Sequence, residues 1–474
     1  MKKLFFVLFV FVLVPEAPAQ EVTISTAEDQ QSVSLTIYNQ NFAVVREQRS
    51  IALEQGLNVV RFEGVAALID PTSISFKSLT APNGVRVQEQ NYQYDLLGPQ
   101  SILEKSVGQR IRLRQVFPDG VVRTWEGVLL SQPSQGTVVQ LDDGRILLNP
   151  LGQIELDTLP EGLVSRPSLL WRLQADRGGA HDTEVSYMTE GITWKADYVV
   201  IVDQDETHVD LTGWVTLDNQ SGATYRQAQL QLMAGDVRRI QQDPRIQEYA
   251  ALRRGDRQEP FEEEAFFEYH LYTLQGTTTV RNKETKQMAL LTAADVSVQR
   301  RLIFDGMRRW WIRGAYRPGA GGDTQQGKLN IVLELANTQD NNMGMALPKG
   351  KVRVYKADAQ NRLQFLGEDL IDHTPRNETV RLYIGDAFDV VGERKRTVYR
   401  RPADNLSEET YEITIRNHKE EPARVWVVEH FYGDWEILRN SHDYTRLDAH
   451  TVEFPLTVPA DGEVQVVYEV RTRQ

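Results

Sequence analysis

A chain of 474 residues without a single cysteine rules out thiolate zinc sites, cysteine nucleophiles and disulfide staples, and at this length a core forms without covalent help. Its net charge of -13 argues against general nucleic-acid binding, which depends on basic residues neutralising phosphates, and against adhesion to anionic lipid.

The N-terminus reads as a signal peptide over residues 1–19. Lys2 and Lys3 precede an apolar run from Leu4 to Val14, and Ala17 and Ala19 give the small-x-small pattern of a cleavage site. The run is about half of the ~20 residues that a membrane-spanning helix needs. Cleavage after Ala19 removes Lys2, Lys3 and Glu16, taking the charge from -13 to -14. An exported protein, periplasmic or secreted, is expected. No later apolar run reaches spanning length, and the richly charged strands lack the lipid-facing side of an outer-membrane barrel.

The body of the chain predicts an all-β, multi-domain β-sandwich protein. Residues 20–97 form an N-terminal β-domain. In it Val33, Leu35 and Ile37 alternate with polar residues, a turn follows at Tyr38 to Asn41, and Phe42 to Ile51 returns as a hairpin. Residues 98–160 give five short strands around Pro118-Asp119-Gly120 and Asp142-Asp143-Gly144, the pattern of a small SH3-like barrel insert.

Residues 161–390 form a central sandwich built around the stretch from Tyr187 to Val237. One helical turn is expected at Tyr225 to Ala228. An exposed charged insertion at 238–264 carries Arg253-Arg254-Gly255-Asp256-Arg257 and Glu262-Glu263-Glu264 among few apolar residues. Residues 391–474 show the cleanest alternation, with Val464, Val466, Tyr468 and Val470 on one face. They read as a C-terminal immunoglobulin-like sandwich.

Catalytic signatures are sparse. Gly322 to Lys328, GDTQQGK, fits seven positions of a phosphate loop but leads into Leu329 where Ser or Thr must bind magnesium, and into a strand where a helix is required. The eight histidines form no close ligand pair, so neither a metal nor a cofactor is expected. No G-x-S-x-G or S-x-x-K occurs. Two acidic clusters beside turns remain as candidates. If the fold gathers them, Asp372, His373, Asp386 and Asp389 could form an acid–base or cation site; the alternative is that they cap turns. Trp310 and Trp311, set among Arg308, Arg309 and Arg313, are candidates for stacking on a ligand. Adjacent strand positions face opposite ways, which would bury one ring and expose the other.

Several long motifs carry a resemblance. SYMTEGITWKADY, GWVTLDNQSGATYRQAQLQLMAGDV, FFEYHLYTLQGTTTVRNKETKQMALL, LPKGKVRVY, IDHTP and GDAFDVVGERK resemble a bacterial domain-of-unknown-function family, number 4139, similar to the C-terminal part of mucoidy-inhibitor-A-like proteins. The resemblance runs from about Glu184 to Arg471, and SLTIYNQNFAVVRE and VAALIDPTSISF resemble the family's N-terminal portion. It implies an exported or envelope-associated β-rich protein and supplies no catalytic residues.

These readings favour a non-enzymatic binding or scaffolding protein whose partner is an envelope protein or glycan. The alternatives are a hydrolase acting on envelope polymers, which would need a carboxylate pair in one cleft, and a carbohydrate-binding module.

Overall fold

The computed structural model describes residues 22–131, 136–235, 237, 261–266, 269–305 and 324–473. The expected leader 1–19, Trp310 and Trp311, and most of the charged insertion expected at 238–264 fall outside these residues; Glu262 to Glu264, expected within that insertion, lie instead in the strand Phe261–Phe266, which pairs antiparallel with Tyr269–Val280. The chain is an all-β, multi-domain β-sandwich protein. It divides into two compact units, each made of three separate stretches.

The first unit comprises residues 1–193, 218–231 and 276–284. One sheet runs in the order Val22–Ser25, Gly56–Glu63, Ser168–Ala175, Val85–Gln93. In a second sheet, Gln30–Tyr38, Phe42–Leu53, Gly179–Glu190 and Ser75–Ser78 lie side by side. The expected hairpin forms, with Asn41 in the left-handed region at φ 62° to close its turn. Period-two alternation sends Val60, Phe62, Leu169, Trp171 and Leu173 to the core, where the Trp171 ring sits 5.5 Å from Phe62 and 5.1 Å from Phe76.

A buried ion pair also lies in this core. Arg49 Nε donates to Glu47 Oε1 at 2.8 Å, and its guanidinium lies 3.6 Å from the Phe62 ring centre. Asn219 ties loops of this unit together, its amide donating to the carbonyls of Ala223 and Arg281.

Within the same unit, residues 110–155 form a five-stranded antiparallel sheet ordered Ile146–Leu148, Val138–Leu141, Val122–Leu129, Arg110–Val116, Gln153–Glu155. It has its own core of Ile111, Leu129, Val139 and Leu141. A short helix, Pro99–Lys105, precedes it. Proline at the first turn gives up no hydrogen bond and presets φ, which is why a helix starts there.

The second unit comprises residues 194–217, 232–275 and 285–474. Nine strands hydrogen-bond in one sheet: Asp434–Asn440, Gly462–Arg473, Leu406–Asn417, Thr379–Ala403, Thr324–Ala336, Gln299–Asp305, Ala423–His430, Thr451–Val458, Thr445–Arg446. The sheet folds over on itself. Phe304, Val427, Phe454 and Leu456 of one half pack on Ile413, Ile415, Val466 and Tyr468 of the other, and the Phe454 and Tyr468 rings lie 5.7 Å apart. The boundary expected at residue 390 falls inside the Thr379–Ala403 strand, and Gln299–Asp305 pairs in parallel with Ala423–His430.

Tyr225 to Ala228, expected as a helical turn, begins the strand Tyr225–Ala234 instead. Gln227 sits at φ 48°, a kink that breaks the alternation and imitates a turn in sequence. Of the stretch Gly322 to Lys328, the described residues from Thr324 on lie in the strand Thr324–Ala336.

Candidate functional site

The remaining sheet of the second unit carries the site. Its order is Glu284–Ser297, His208–Asn219, Ile192–Val202, Gly350–Ala357, Leu363–Ile371. Tyr198, Val200, Val352 and Val354 point to its buried side. Alternation therefore sends Lys195 and Asp197 to the other side, and on the neighbouring strand Thr216 and Trp214. The parallel register places Asp197 beside Lys351 and Val199 beside Arg353, and the next strand places Glu368 beside Arg353.

Charge on this face is arranged as a ladder. Asp197, with its side chain only 12 % exposed, is the centre. Its Oδ2 accepts from the Thr216 hydroxyl at 2.9 Å and lies 3.7 Å from Lys195 Nζ, while its Oδ1 lies 3.8 Å from Arg353 Nη1. Gln287 donates to the Thr216 hydroxyl at 3.2 Å. Arg353 Nε is 3.5 Å from Glu368, which also accepts from Lys351 Nζ at 2.8 Å. The Lys351 hydrogen bond holds the Glu368 carboxyl below its ordinary range.

Apolar rings flank the ladder. Trp214 is 38 % exposed, and two positions along a strand put it about 6.7 Å from Thr216 on the same face. Phe365 is 55 % exposed and stands edge-on to Tyr355 at 5.6 Å. Accessible rings beside fixed carboxylates, a guanidinium and an ammonium suit a ligand with an apolar face rimmed by hydroxyls. The rings cover the C–H face, and the charged groups hydrogen-bond the rim.

A second cluster lies on the nine-stranded sheet. His430 Nε2 is 3.2 Å from Asp305 Oδ2, and His430 Nδ1 is 3.3 Å from Thr451 Oγ1. An imidazole thus links a carboxylate to a hydroxyl. Chemically this is a base oriented by an acid beside a weak nucleophile. The Asp305 hydrogen bond raises the His430 pKa above its ordinary value.

The acidic candidates fall elsewhere. Asp372 is exposed in the connection after Leu363–Ile371, its carbonyl accepting from the Thr374 hydroxyl at 2.9 Å. His373 Nδ1 accepts from the Lys349 amide at 3.2 Å. Asp386, on the Thr379–Ala403 strand, accepts from Asn330 at 2.9 Å and from the Tyr383 hydroxyl at 3.0 Å. Asp389 is exposed on the same strand, and its carbonyl accepts from the His418 amide at 2.8 Å. Among the described residues no group of three or more His, Cys, Asp or Glu side chains could hold a metal ion, so these four are not gathered into one.

Asp197, Trp214 and Arg353 were not singled out from sequence, although one signal was present. Val209, Leu211 and Gly213 alternate with Asp210, Thr212 and then Trp214, so a tryptophan stands in the polar register of a strand.

All of the ladder lies within the part of the chain that other proteins share. The family profile described as "Domain of unknown function (DUF4139)" matches residues 183–432. No curated protein matches the sequence. The chain belongs to the DUF4139 family.

Proposed function

We propose that this chain is an exported, non-enzymatic binding protein of the cell envelope, and that it takes an envelope glycan on the open face around Asp197. The observation that carries the reading is Trp214, an exposed tryptophan beside the Thr216–Asp197–Arg353–Glu368 ladder. Export rests on the leader pattern at residues 1–19, and the likeness of the central motifs to mucoidy-inhibitor-A-like proteins points to the same compartment. Two experiments test the reading. N-terminal sequencing of the protein from cells should begin at Gln20, and retention of Met1 would contradict a cleaved leader. Purified protein should sediment with insoluble envelope polysaccharide, and Trp214→Ala should stay in solution while keeping its circular dichroism spectrum.

A second reading, a hydrolase acting on envelope polymers, draws on the Asp305–His430–Thr451 chain. Release of soluble fragments from the same polysaccharide, abolished by both His430→Ala and Thr451→Val, would favour it over simple binding.

A further inference from the structure

The five-stranded sheet of residues 110–155 ends in a hairpin tip unlike the rest of its surface. Strands Arg110–Val116 and Val122–Leu129 are joined by Phe117 to Val121. Phe117 N–H donates to the Val121 carbonyl at 2.9 Å, and Gly120 N–H donates back to the Phe117 carbonyl at 2.9 Å. Gly120 takes φ 82°, a conformation that a side chain would oppose, so the tip is a tight turn of defined shape.

The apolar side chains at this end of the hairpin face outward. Val116 and Val122 pair across the strands on the face opposite Leu113, and they are 62 % and 46 % exposed. Val121 is 47 % exposed. Leu151, in the turn that packs against the end of the same strand, is 77 % exposed.

The charges sort in the same way. Arg110 bonds Glu126 and Asp142, Arg112 bonds Asp157, and Arg145 bonds Asp143. The two arginines nearest the tip differ. Arg114 lies across from Thr124 and Gln153, and Arg123 lies across from Gln115. Neither makes an ion pair among the described residues, and the Arg123 guanidinium lies over the Phe117 ring at 5.0 Å. The one acid at the tip, Asp119, accepts from the Val121 amide at 3.0 Å. Apolar side chains at a rigid apex, with two uncompensated guanidiniums just behind them, complement a surface with an apolar interior and anionic phosphates.

We propose that this tip docks on an anionic phospholipid surface. Val116, Val121, Val122 and Leu151 enter the headgroup boundary, and Arg114 and Arg123 meet lipid phosphates. The chain's negative net charge does not prevent this, because exposed charges beyond about 8 Å are largely screened at physiological ionic strength. The groups at the apex decide the contact. The inference is independent of the glycan reading.

The test is co-sedimentation of residues 20–474 with vesicles; the apolar run at Leu4 to Val14, which would itself bind lipid, is left out. Binding is expected to mixed phosphatidylglycerol–phosphatidylethanolamine vesicles and to be several-fold weaker to phosphatidylcholine alone. Val116→Ser with Val122→Ser, which leaves charge unchanged, should abolish it. Arg114→Gln and Arg123→Gln should each weaken it about fivefold, equivalent to ~1 kcal/mol per basic residue at such a surface. These side chains are exposed, so each variant should keep the parent unfolding midpoint. The proposal is overturned by absence of binding to the anionic vesicles, by equal binding to both compositions, or by binding that the serine pair leaves intact.

Discussion

Arg394 and Glu429 meet fork to fork inside the nine-stranded sheet. Arg394 Nε donates to Glu429 Oε1 at 2.9 Å and its Nη2 donates to Oε2 at 2.9 Å, with the glutamate fully buried. The Tyr468 hydroxyl donates to the same Oε2 at 2.6 Å, and the Tyr411 ring lies 3.7 Å from the guanidinium carbon. Burial opposes the charge on Arg394, but the adjacent Glu429 carboxylate prevails and raises its pKa. Burial pushes the Tyr411 hydroxyl up to about 12.

Removing either partner strands the other charge in an apolar interior. Glu429→Gln or Arg394→Met should therefore cost about 3–5 kcal/mol in urea unfolding of the second unit. Replacing both by apolar residues of similar volume should recover most of that loss. A double variant as unstable as the singles would mean that the pair does more than neutralise itself.

Gly392 sits where no side chain fits. A Cβ there would lie 2.2 Å from Cδ2 of Phe304, which is itself buried in the core. Gly392→Ala should cost about 1–3 kcal/mol through overpacking. Adding Phe304→Leu should make the alanine less costly than it is beside phenylalanine, as a double-mutant cycle on thermal midpoints would reveal.

His430 gives stability a pH dependence of known sign. Its pKa is raised in the folded state, chiefly by the hydrogen bond to Asp305. The protonated form is thus favoured by folding. That contribution is fully present below the unfolded value of about 6.5 and is lost as pH rises through the folded value. Asp305→Asn should flatten the fall in unfolding free energy just above about pH 6.5. An unchanged slope in the variant would assign the dependence to another group.

Alternation carried much of this fold into the sequence, and its failures have physical causes. Val464, Val466, Tyr468 and Val470 were legible as an inward face because the strand Gly462–Arg473 is regular throughout. Phe42–Leu53 was legible because its turn is local. The helix Pro99–Lys105 is too short to show a period. The parallel pairing of Gln299–Asp305 with Ala423–His430 joins segments far apart in the chain, and no local pattern encodes it.

The candidate site was legible only in fragments. Trp214 stands in the polar register of its strand, and outside the site Glu429 stands in the inward register of Val425 and Val427. A residue out of register marks a place where something other than packing is at work. Asp197, Thr216, Arg353 and Glu368 come from four strands, so their meeting depends on sheet order. The acidic residues near 372 and 386 were conspicuous because they sit together in sequence; in the fold they serve turns and strand neighbours.

Thermal unfolding of residues 20–474 with and without soluble peptidoglycan fragments and other envelope glycans tests the central claim most directly. A glycan at a hundred times its dissociation constant should add about 2.7 kcal/mol. That should raise the midpoint of a ~150–250-residue unit by several degrees. Trp214→Ala and Arg353→Ala should each remove the shift while leaving the ligand-free midpoint close to that of the parent. No shift with any glycan, or an equal shift in the parent and both variants, would contradict binding at the face around Asp197.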